Sequence, residues 1–166
     1  MTTQTIARQI QDRFPGAVIR TAEFRGELTV VVKRESIVEV GLFLRDDPEL
    51  AFDQLSDVCS VDYPEREERF EVVYHLNSIA HRRRIVLKAP VPEEDCEIDS
   101  VFSVWRSANF MEREVYDLMG IRFKGHPDLR RIFLPEDFDG HPLRKEYPAE
   151  GKGWRNSFEF LGENAS

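Results

Sequence analysis

Apolar residues recur at helical spacing at the start of the chain and again further along. Ile6, Ile10 and Phe14 fall four positions apart and a Pro-Gly pair follows them, which predicts a first helix that ends there. A second apolar stripe begins after Ser36, a residue type that caps helices, and stops before Pro48. The pattern therefore predicts two helices early in the chain.

Runs of β-branched and apolar residues predict a sheet. Two short runs flank Arg25-Gly26, a pair typical of a hairpin turn. Three longer runs cover about residues 55–63, 70–77 and 83–89, and the middle run alternates an apolar series with a mainly polar one. Because short polar connections join these three runs, the sequence predicts an antiparallel meander with one apolar face.

A third helical segment is predicted over residues 98–119, in two pieces broken near Ser107, after an acidic, proline-containing loop over residues 90–99. The order helix, hairpin, helix, meander, helix predicts the fold class α+β, with helices packed on a mostly antiparallel sheet and a long irregular C-terminal arm. We place the α+β domain at residues 1–119 and the arm at residues 120–166.

The arm differs from the rest of the chain in composition. Pro127, Pro135, Pro142 and Pro148 interrupt it, and each removes a backbone donor, so long helices and central strands are excluded there. The arm is nevertheless rich in apolar side chains and nearly balanced in charge, unlike a solvated linker. It must bury these side chains on its own domain or on another protein chain, and the residues alone leave both alternatives open.

The overall charge and the cysteines limit the possible functions. The formal net charge is −8, from 23 Lys and Arg against 31 Asp and Glu, which argues against binding to nucleic acid. Cys59 and Cys96 cannot by themselves ligate an iron–sulfur cluster, which needs four thiolates. No apolar run approaches the roughly 20 residues that span a bilayer, so membrane association is expected only through partners.

Acidic residues cluster in the third predicted helix. Glu112, Glu114 and Asp117 could form an acid/base set, and the spacing places Glu114 and Asp117 on a shared helical face with Glu112 pointing elsewhere. No nucleophile or histidine stands at a matching spacing. We therefore favour an ion-pair and capping cluster, in which Glu112 and Glu114 reach Arg113, Arg122 or arginines of the arm.

Histidines and acids of the arm could be combined into a metal site, namely His126, Asp128, Asp137, Asp139 and His141. The Asp-Phe-Asp-Gly run looks like the start of a calcium loop, but the remaining oxygen ligands and the closing glutamate are missing. The acids suit tight turns, and both histidines precede prolines and are expected to bond to backbone or carboxylate groups. No metal site is predicted for this chain.

One stretch of the sequence carries a family resemblance. The Glu-Arg-Glu triplet at residues 112–114 is followed by VYDLMGIRFKGHPDLRRIFLPEDFDGHPLRKEYP, and together they closely resemble the signature of the 30 kDa (C-type) subunit family of NADH-quinone oxidoreductase, respiratory complex I. Upstream, FDQLSDVCSVDYP and FEVVYHL also look like that family. The resemblance covers about residues 52–148.

The resemblance implies a hydrophilic subunit without catalytic residues in the peripheral arm of the complex. Such a subunit packs against the D-type, hydrogenase-like subunit and near the B-type subunit, which carries the terminal iron–sulfur cluster. The chain itself is then expected to bind no cofactor, while FMN and iron–sulfur clusters lie on other subunits. In that family the complex passes electrons from NADH to quinone, coupled to proton translocation, and the resemblance implies that this chain lies at the cytoplasmic face of a bacterial inner membrane.

The same resemblance implies a role in contacts between subunits for residues of the signature. These residues are Glu112, Arg113, Glu114, Asp117, Arg122, His126, Arg130, Arg131, Phe133, Phe138, His141, Arg144 and Tyr147. Two alternatives are kept. The chain could be the homologous subunit of a membrane-bound hydrogenase or another quinone-linked dehydrogenase, or a stand-alone metal-dependent enzyme that uses the histidines and aspartates of the arm.

Overall fold

The computed structural model of the chain describes residues 2–152, and its centre is a five-stranded sheet with helices packed against one face. The elements in chain order are α1 (Thr3–Arg13), β1 (Val18–Phe24), β2 (Glu27–Val32), α2 (Ile37–Asp46), β3 (Gln54–Asp62), β4 (Phe70–Ser78), β5 (Arg83–Val91), β6 (Glu97–Asp99), α3 (Ala108–Met119) and β7 (Arg122–Lys124). A single 3₁₀ turn, Arg34–Ser36, leads into α2. The fold class α+β is confirmed.

The strand order in the sheet is β1-β2-β5-β4-β3. The hairpin β1–β2 and the meander β3–β4–β5 are antiparallel, as the sequence predicted. The two units join through β2 and β5, which run parallel and place Leu28 opposite Ile85. This parallel contact makes the sheet mixed, and no local pattern in the sequence indicated it.

The core lies between one face of this sheet and the helices. Alternate residues of the strands face inward, so that Val30, Tyr74 and Leu87 are fully buried in one cluster with Ile10 of α1 and Leu44 of α2. Full burial of an aliphatic side chain of this size contributes about 1.5–3 kcal/mol. The close packing also explains Gly41 of α2, because a Cβ at this position would lie 3.1 Å from the indole ring of Trp105.

The prediction of a helical piece before Ser107, at the start of the third helical segment, is wrong. Residues 97–99 form β6, which pairs in parallel with β7 at the start of the arm, and residues 102–104 and 106–107 form turns. The apolar residues Val101, Val104 and Trp105 lie at helical spacing and are buried, but in non-helical chain. The indole Nε1 of Trp105 donates to the carbonyl of Phe52 at 3.0 Å, which fixes this segment against the chain just before β3.

The loop predicted over residues 90–99 is also shorter than expected, because β5 continues through Pro90 and Val91. β2 accompanies β5 only as far as Lys88, so Pro90 lies where β5 has a neighbour on one side only. A proline is tolerated at such a position because a ladder bond on the open side is not required. Among residues 2–152, no helix has the length and apolarity needed to cross a bilayer.

Candidate functional site

Helix α3 carries the acidic cluster, but the two acids predicted to share a helical face, Glu114 and Asp117, differ in burial. Glu112, Arg113 and Asp117 are buried, whereas Glu114 faces solvent. The helix presents its buried charged residues to the segments packed around it and not to an open cleft. The predicted ion pairs of Glu112 and Glu114 with Arg113 or Arg122 do not form within the described residues.

Asp117 holds the middle of the arm. Its Oδ2 accepts the backbone N–H groups of Ile132, Phe133 and Leu134 at 3.1, 2.8 and 3.0 Å. Its Oδ1 lies 3.7 Å from Nε of Arg131, and the carboxylate is fully buried. Three successive amides that converge on one carboxylate satisfy a stretch of backbone that forms no regular structure of its own.

Arg113 lies one turn before Asp117 and holds the preceding part of the arm. Its guanidinium donates to the carbonyl oxygens of Arg130 and Arg131, at 3.1 and 3.3 Å. The same guanidinium lies 5.4 Å from the centre of the Phe110 ring. Arg113 and Asp117 therefore act together, because the arginine binds carbonyls and the aspartate binds amides of one continuous segment.

Glu112 points to the other side of α3, towards the turn before the helix. Its carboxylate accepts the hydroxyl of Ser100 at 2.5 Å and the amide of Val101 at 2.8 Å. Burial raises the pKa of Glu112 to about 7, although these two hydrogen bonds act in the opposite direction. Glu112 thus ties the irregular segment before α3 to the helix and carries a proton more readily than an exposed glutamate.

His126 does not neutralise Glu112, although its Nε2 is 3.9 Å from the carboxylate. Its Nδ1 accepts the amide of Asp128 at 3.0 Å, so the proton is on Nε2, which donates to the carbonyl of Asn109 at 3.1 Å. Burial is the main cause that lowers the pKa of His126. The neutral ring is therefore a bridge between α3 and the arm, and the predicted bond of this histidine to the backbone is confirmed.

The C-terminal end of α3 is capped by the arm. Gly120 adopts a left-handed conformation with φ 76°. His141 Nδ1 donates to the carbonyl of Asp117 at 2.9 Å, and the guanidinium of Arg144 donates through Nε to the carbonyl of Met119 at 2.8 Å. Carbonyls that a helix end leaves unpaired are satisfied here by the returning chain.

Replacing Gly120 with alanine is expected to lower the free energy of unfolding by about 3 kcal/mol, of which the left-handed backbone accounts for roughly 1–2 kcal/mol and the overlap of the new methyl group with the arm for the rest. A Cβ at Gly120 would lie 2.5 Å from Nε2 of His141 and 2.8 Å from Nη2 of Arg144. Gly125 is a matched control, because it has the same φ of 76° and open space around the Cβ position. Denaturant unfolding of both variants measures the difference, and equal losses would refute a close packing of the arm on Gly120.

A second anchor holds the arm near residue 145. The carboxylate of Asp62, at the end of β3, accepts the amide of Lys145 at 2.7 Å. Arg69 binds the same carboxylate through two nitrogens at 2.8 and 2.9 Å and also contacts Glu146 of the arm. The hydrogen bonds from Arg69 are the main cause that lowers the pKa of Asp62. Sequence reasoning missed Asp62 and Arg69, since neither stands in a recognisable motif with the arm.

The remaining predicted interface residues lie along the arm and its approach. Arg122, Arg130 and Phe133 are exposed, while Phe138 and Tyr147 are half-buried and stack on each other with ring centres 5.9 Å apart. A role of these residues in contacts between subunits stays a prediction. The structure shows that the arm binds its own domain through the contacts described above.

The metal ligands considered in the arm do not come together. Within the described range 2–152, His126, Asp128, Asp137, Asp139 and His141 form no group with the spacing of metal ligands. His126 and His141 bond to backbone groups instead. The part of the chain that the structure describes does contain one such group elsewhere, made of Asp57, Cys59 and His75.

These features define a class of protein: an α+β domain in which one helix holds a returning, irregular C-terminal arm by buried polar side chains. Residues 30–153 match the model of the family described as "Respiratory-chain NADH dehydrogenase, 30 Kd subunit". The chain belongs to this family, as the resemblance of residues 112–147 indicated.

Relatives support this membership over most of the chain. The C subunit of NADH-quinone oxidoreductase from Roseiflexus sp. strain RS-1 is 51% identical over 144 residues, which is 87% of this chain and 83% of that protein. The protein of the same name from Geobacter metallireducens is 52% identical over 146 residues, which is 87% of this chain and 89% of that protein.

Two solved structures share the fold. The trypsin-resistant fragment (1–134) of Nqo5 is 35% identical with a TM-score of 0.65, and the match covers 78% of this chain and 100% of the fragment. A chain of the membrane-bound sulfane sulfur reductase, an archaeal respiratory membrane complex, has a TM-score of 0.72 over 88% of this chain and 85% of that one. At 24% identity, this second likeness shows the fold alone.

Proposed function

We propose that this chain is the C-type subunit of an NADH-quinone oxidoreductase and contributes architecture, not chemistry, to the peripheral arm of the complex. The observation that carries the proposal is that the buried charged side chains of α3 bind backbone groups of the same chain. Arg113 and Asp117 are committed to the backbone of the arm and Glu112 to the turn before the helix. A site built for catalysis presents such groups to a substrate.

The outer surface of this unit is suited to docking. Phe110, Phe133 and Leu143 have more than half of their surface exposed, at 65, 62 and 57%. All three are attached to α3: Phe110 lies in its first turn, and the amides of Phe133 and Leu143 bond to Asp117 and Leu118. Leaving a large apolar side chain in water forfeits about 1.5–3 kcal/mol that a partner could recover. Since the arm is held in place beforehand, docking costs little ordering of the chain.

The partners of this surface are proposed from the family. The relatives described above are named as parts of an NADH-quinone oxidoreductase, and we assign the contacts of this chain to the D-type and B-type subunits of such a complex. Electrons then pass through FMN and iron–sulfur clusters of other subunits. The two free cysteines, Cys59 and Cys96, fall short of the four thiolates that a cluster needs. The proposed location is the cytoplasmic face of the inner membrane, reached through these partners.

Assembly of the complex tests the proposal directly. In cells that lack this chain, we expect loss of the fully assembled complex, measured by native electrophoresis of solubilised membranes, and recovery when the chain is supplied. Substitutions in α3 and in the arm should lower the amount of assembled complex, and the rate of electron transfer should fall in proportion to that amount. The proposal is wrong if a substitution in this set leaves assembly intact but stops electron transfer from NADH to quinone.

Reversing the charge of Arg130 is expected to weaken the contact with the D-type partner by about tenfold, without changing the thermal stability of the isolated chain. The side chain of Arg130 is 67% exposed, and Asp128 is its ion-pair partner. Arg8→Glu is a matched control, since Arg8 on α1 is also exposed and paired with Asp12. The measurement is co-purification with the partner, and equal recovery of both variants would contradict a docking role for this side of the arm.

Arg131 is not suitable for the same test, although it is adjacent to Arg130 in the sequence. Its Nη1 donates to the carbonyls of Pro135 and Phe138, at 3.3 and 3.2 Å, and its Nε lies near Asp117. A change at Arg131 would therefore alter the fold of the arm itself. The two neighbouring arginines have different roles, one inside the arm and one on its surface.

A further inference from the structure

A cluster of three ligand-type side chains lies far from the arm in sequence, on the strand pair β3–β4. Asp57 and Cys59 are two positions apart on β3, so they point to the same face of the sheet. The antiparallel register places His75 of β4 directly opposite Asp57, and Cys59 is the diagonal neighbour of His75. Tyr74, next to His75, is fully buried in the core, so the cluster lies on the other face of the sheet.

A bulge in β3 creates this arrangement. Leu55 pairs with Leu76 and Asp57 pairs with His75, so two steps along β3 correspond to one step along β4. Without the extra residue, Leu55 and Asp57 would share a face. With it, Leu55 is buried in the core while Asp57 turns to the opposite face beside His75. A bulge re-aims side chains in this way, and bulges are over-represented next to functional sites.

The three side chains are close together, and their ligand atoms are not committed to other groups. A carboxylate oxygen of Asp57, Sγ of Cys59 and a ring nitrogen of His75 all lie within 4.8 Å of one another. Among residues 2–152, none of these three side chains makes a hydrogen bond or an ion pair. Elsewhere in the described chain, by contrast, His81, His126 and His141 all bond to backbone carbonyls.

We propose that Asp57, Cys59 and His75 bind one Zn²⁺ ion. A thiolate, an imidazole and a carboxylate form a ligand set that zinc accepts, and the thiolate disfavours Mg²⁺, Ca²⁺ and Mn²⁺. Tetrahedral zinc requires the donor atoms to be closer together by about 1 Å, which small side-chain rotations provide. Binding releases the thiol proton of Cys59, and the two anionic ligands then balance the charge of the ion. The fourth position is filled by water or by a group from a neighbouring protein.

Cobalt spectroscopy of the full-length chain tests this proposal. The metal-free chain is titrated with Co²⁺, which reports thiolate ligation by a charge-transfer band in the near ultraviolet. We expect one equivalent of Co²⁺ to produce this band and Zn²⁺ to displace it. Cys59→Ser should abolish the band, and His75→Gln or Asp57→Asn should each weaken Co²⁺ binding more than about tenfold. The matched control is Cys96→Ser, which removes the other free cysteine and should leave the titration unchanged.

Thermal unfolding gives a second readout that does not depend on the absorption band of Co²⁺. An ion that binds only the folded chain raises its melting temperature, so Zn²⁺ should stabilise the wild type and the Cys96→Ser variant but not the Cys59→Ser variant. The proposal is overturned if no saturable band appears or if the band survives in Cys59→Ser. It is equally overturned if the titration is insensitive to both His75 and Asp57, since a single thiol would then account for the binding.

Discussion

Replacing Asp117 with alanine is expected to release the arm and to lower the free energy of unfolding by about 3–5 kcal/mol. The substitution removes the acceptor of three backbone amides, those of Ile132, Phe133 and Leu134, and leaves Arg131 without its nearby carboxylate. Because Asp117 is fully buried, water cannot replace the lost acceptor while the arm remains in place. The arm is therefore expected to detach before the sheet unfolds.

Two measurements separate arm release from general unfolding. Limited trypsin digestion should cut the Asp117→Ala chain rapidly after Arg130 and Arg131, while circular dichroism still reports the sheet. Asp117→Asn should give an intermediate loss, because its amide oxygen still accepts the three N–H groups but its NH₂ group faces Arg131. Asp128→Ala, which removes an exposed carboxylate of the arm, is the control and should behave as wild type. If Asp117→Ala is cut no faster than this control, Asp117 does not hold the arm.

The stability of the chain should fall with rising pH because of Glu112, and Glu112→Gln should remove this part of the dependence. Burial raises the pKa of Glu112 to about 7 in the folded chain, above its ordinary value of 4.5. Between these two pH values the folded state holds a proton that the unfolded state has released, so stability contributed by neutral Glu112 is present at low pH and is lost as the pH rises through about 7. The loss is about 3 kcal/mol when complete.

Denaturant unfolding at a series of pH values measures this effect as the difference between the variant and the wild type. The difference between the two proteins is needed because His126 also contributes to the pH dependence of stability. The pKa of His126 is lowered, chiefly by burial, so its contribution makes the stability rise with pH and opposes that of Glu112 over part of the range. Above about pH 7 the glutamine variant should match or exceed the wild type, since a neutral amide can still bond to Ser100 and Val101. Glu114→Gln, an exposed change on the same helix, should leave the pH profile unchanged. A parallel profile for Glu112→Gln and wild type would contradict the assignment.

Local patterns in the sequence predicted those parts of the fold that depend on neighbours along the chain. The spacing of Ile6 and Ile10 indicated α1, and the alternation through residues 70–77 indicated β4. The expectation that only one face of this strand is buried is wrong, because Glu71 and Val73 on the other face are buried as well. The same reasoning was wrong for residues 98–107. Val101 and Trp105 are spaced like a helix, but the amide of Val101 bonds to the carboxylate of Glu112, eleven residues away, and a local pattern does not contain that information.

The site was predicted in part. The prolines and apolar residues of the arm indicated an irregular segment that needs a surface to bind, and the family resemblance favoured a partner. The structure shows that part of this surface belongs to the same chain, through contacts such as that between Asp62 and Lys145, 83 residues apart. Which buried carboxylate meets which backbone segment depends on how the sheet and α3 pack, so the pairs of Asp117 and Asp62 could not be derived from spacing.

The parallel contact between β2 and β5 has a consequence for how the chain folds as it is synthesised. The hairpin β1–β2 emerges early, but it joins the rest of the sheet through β5, which follows β3 and β4 in the chain. Closing so large a loop is slow compared with forming a hairpin. The first hairpin must therefore wait with an unpaired edge until β5 has left the ribosome, and the arm, whose anchors lie on β3 and α3, can attach only after that. Until then the unpaired edge of β2 is exposed to pairing with other chains, which is a route to aggregation during synthesis.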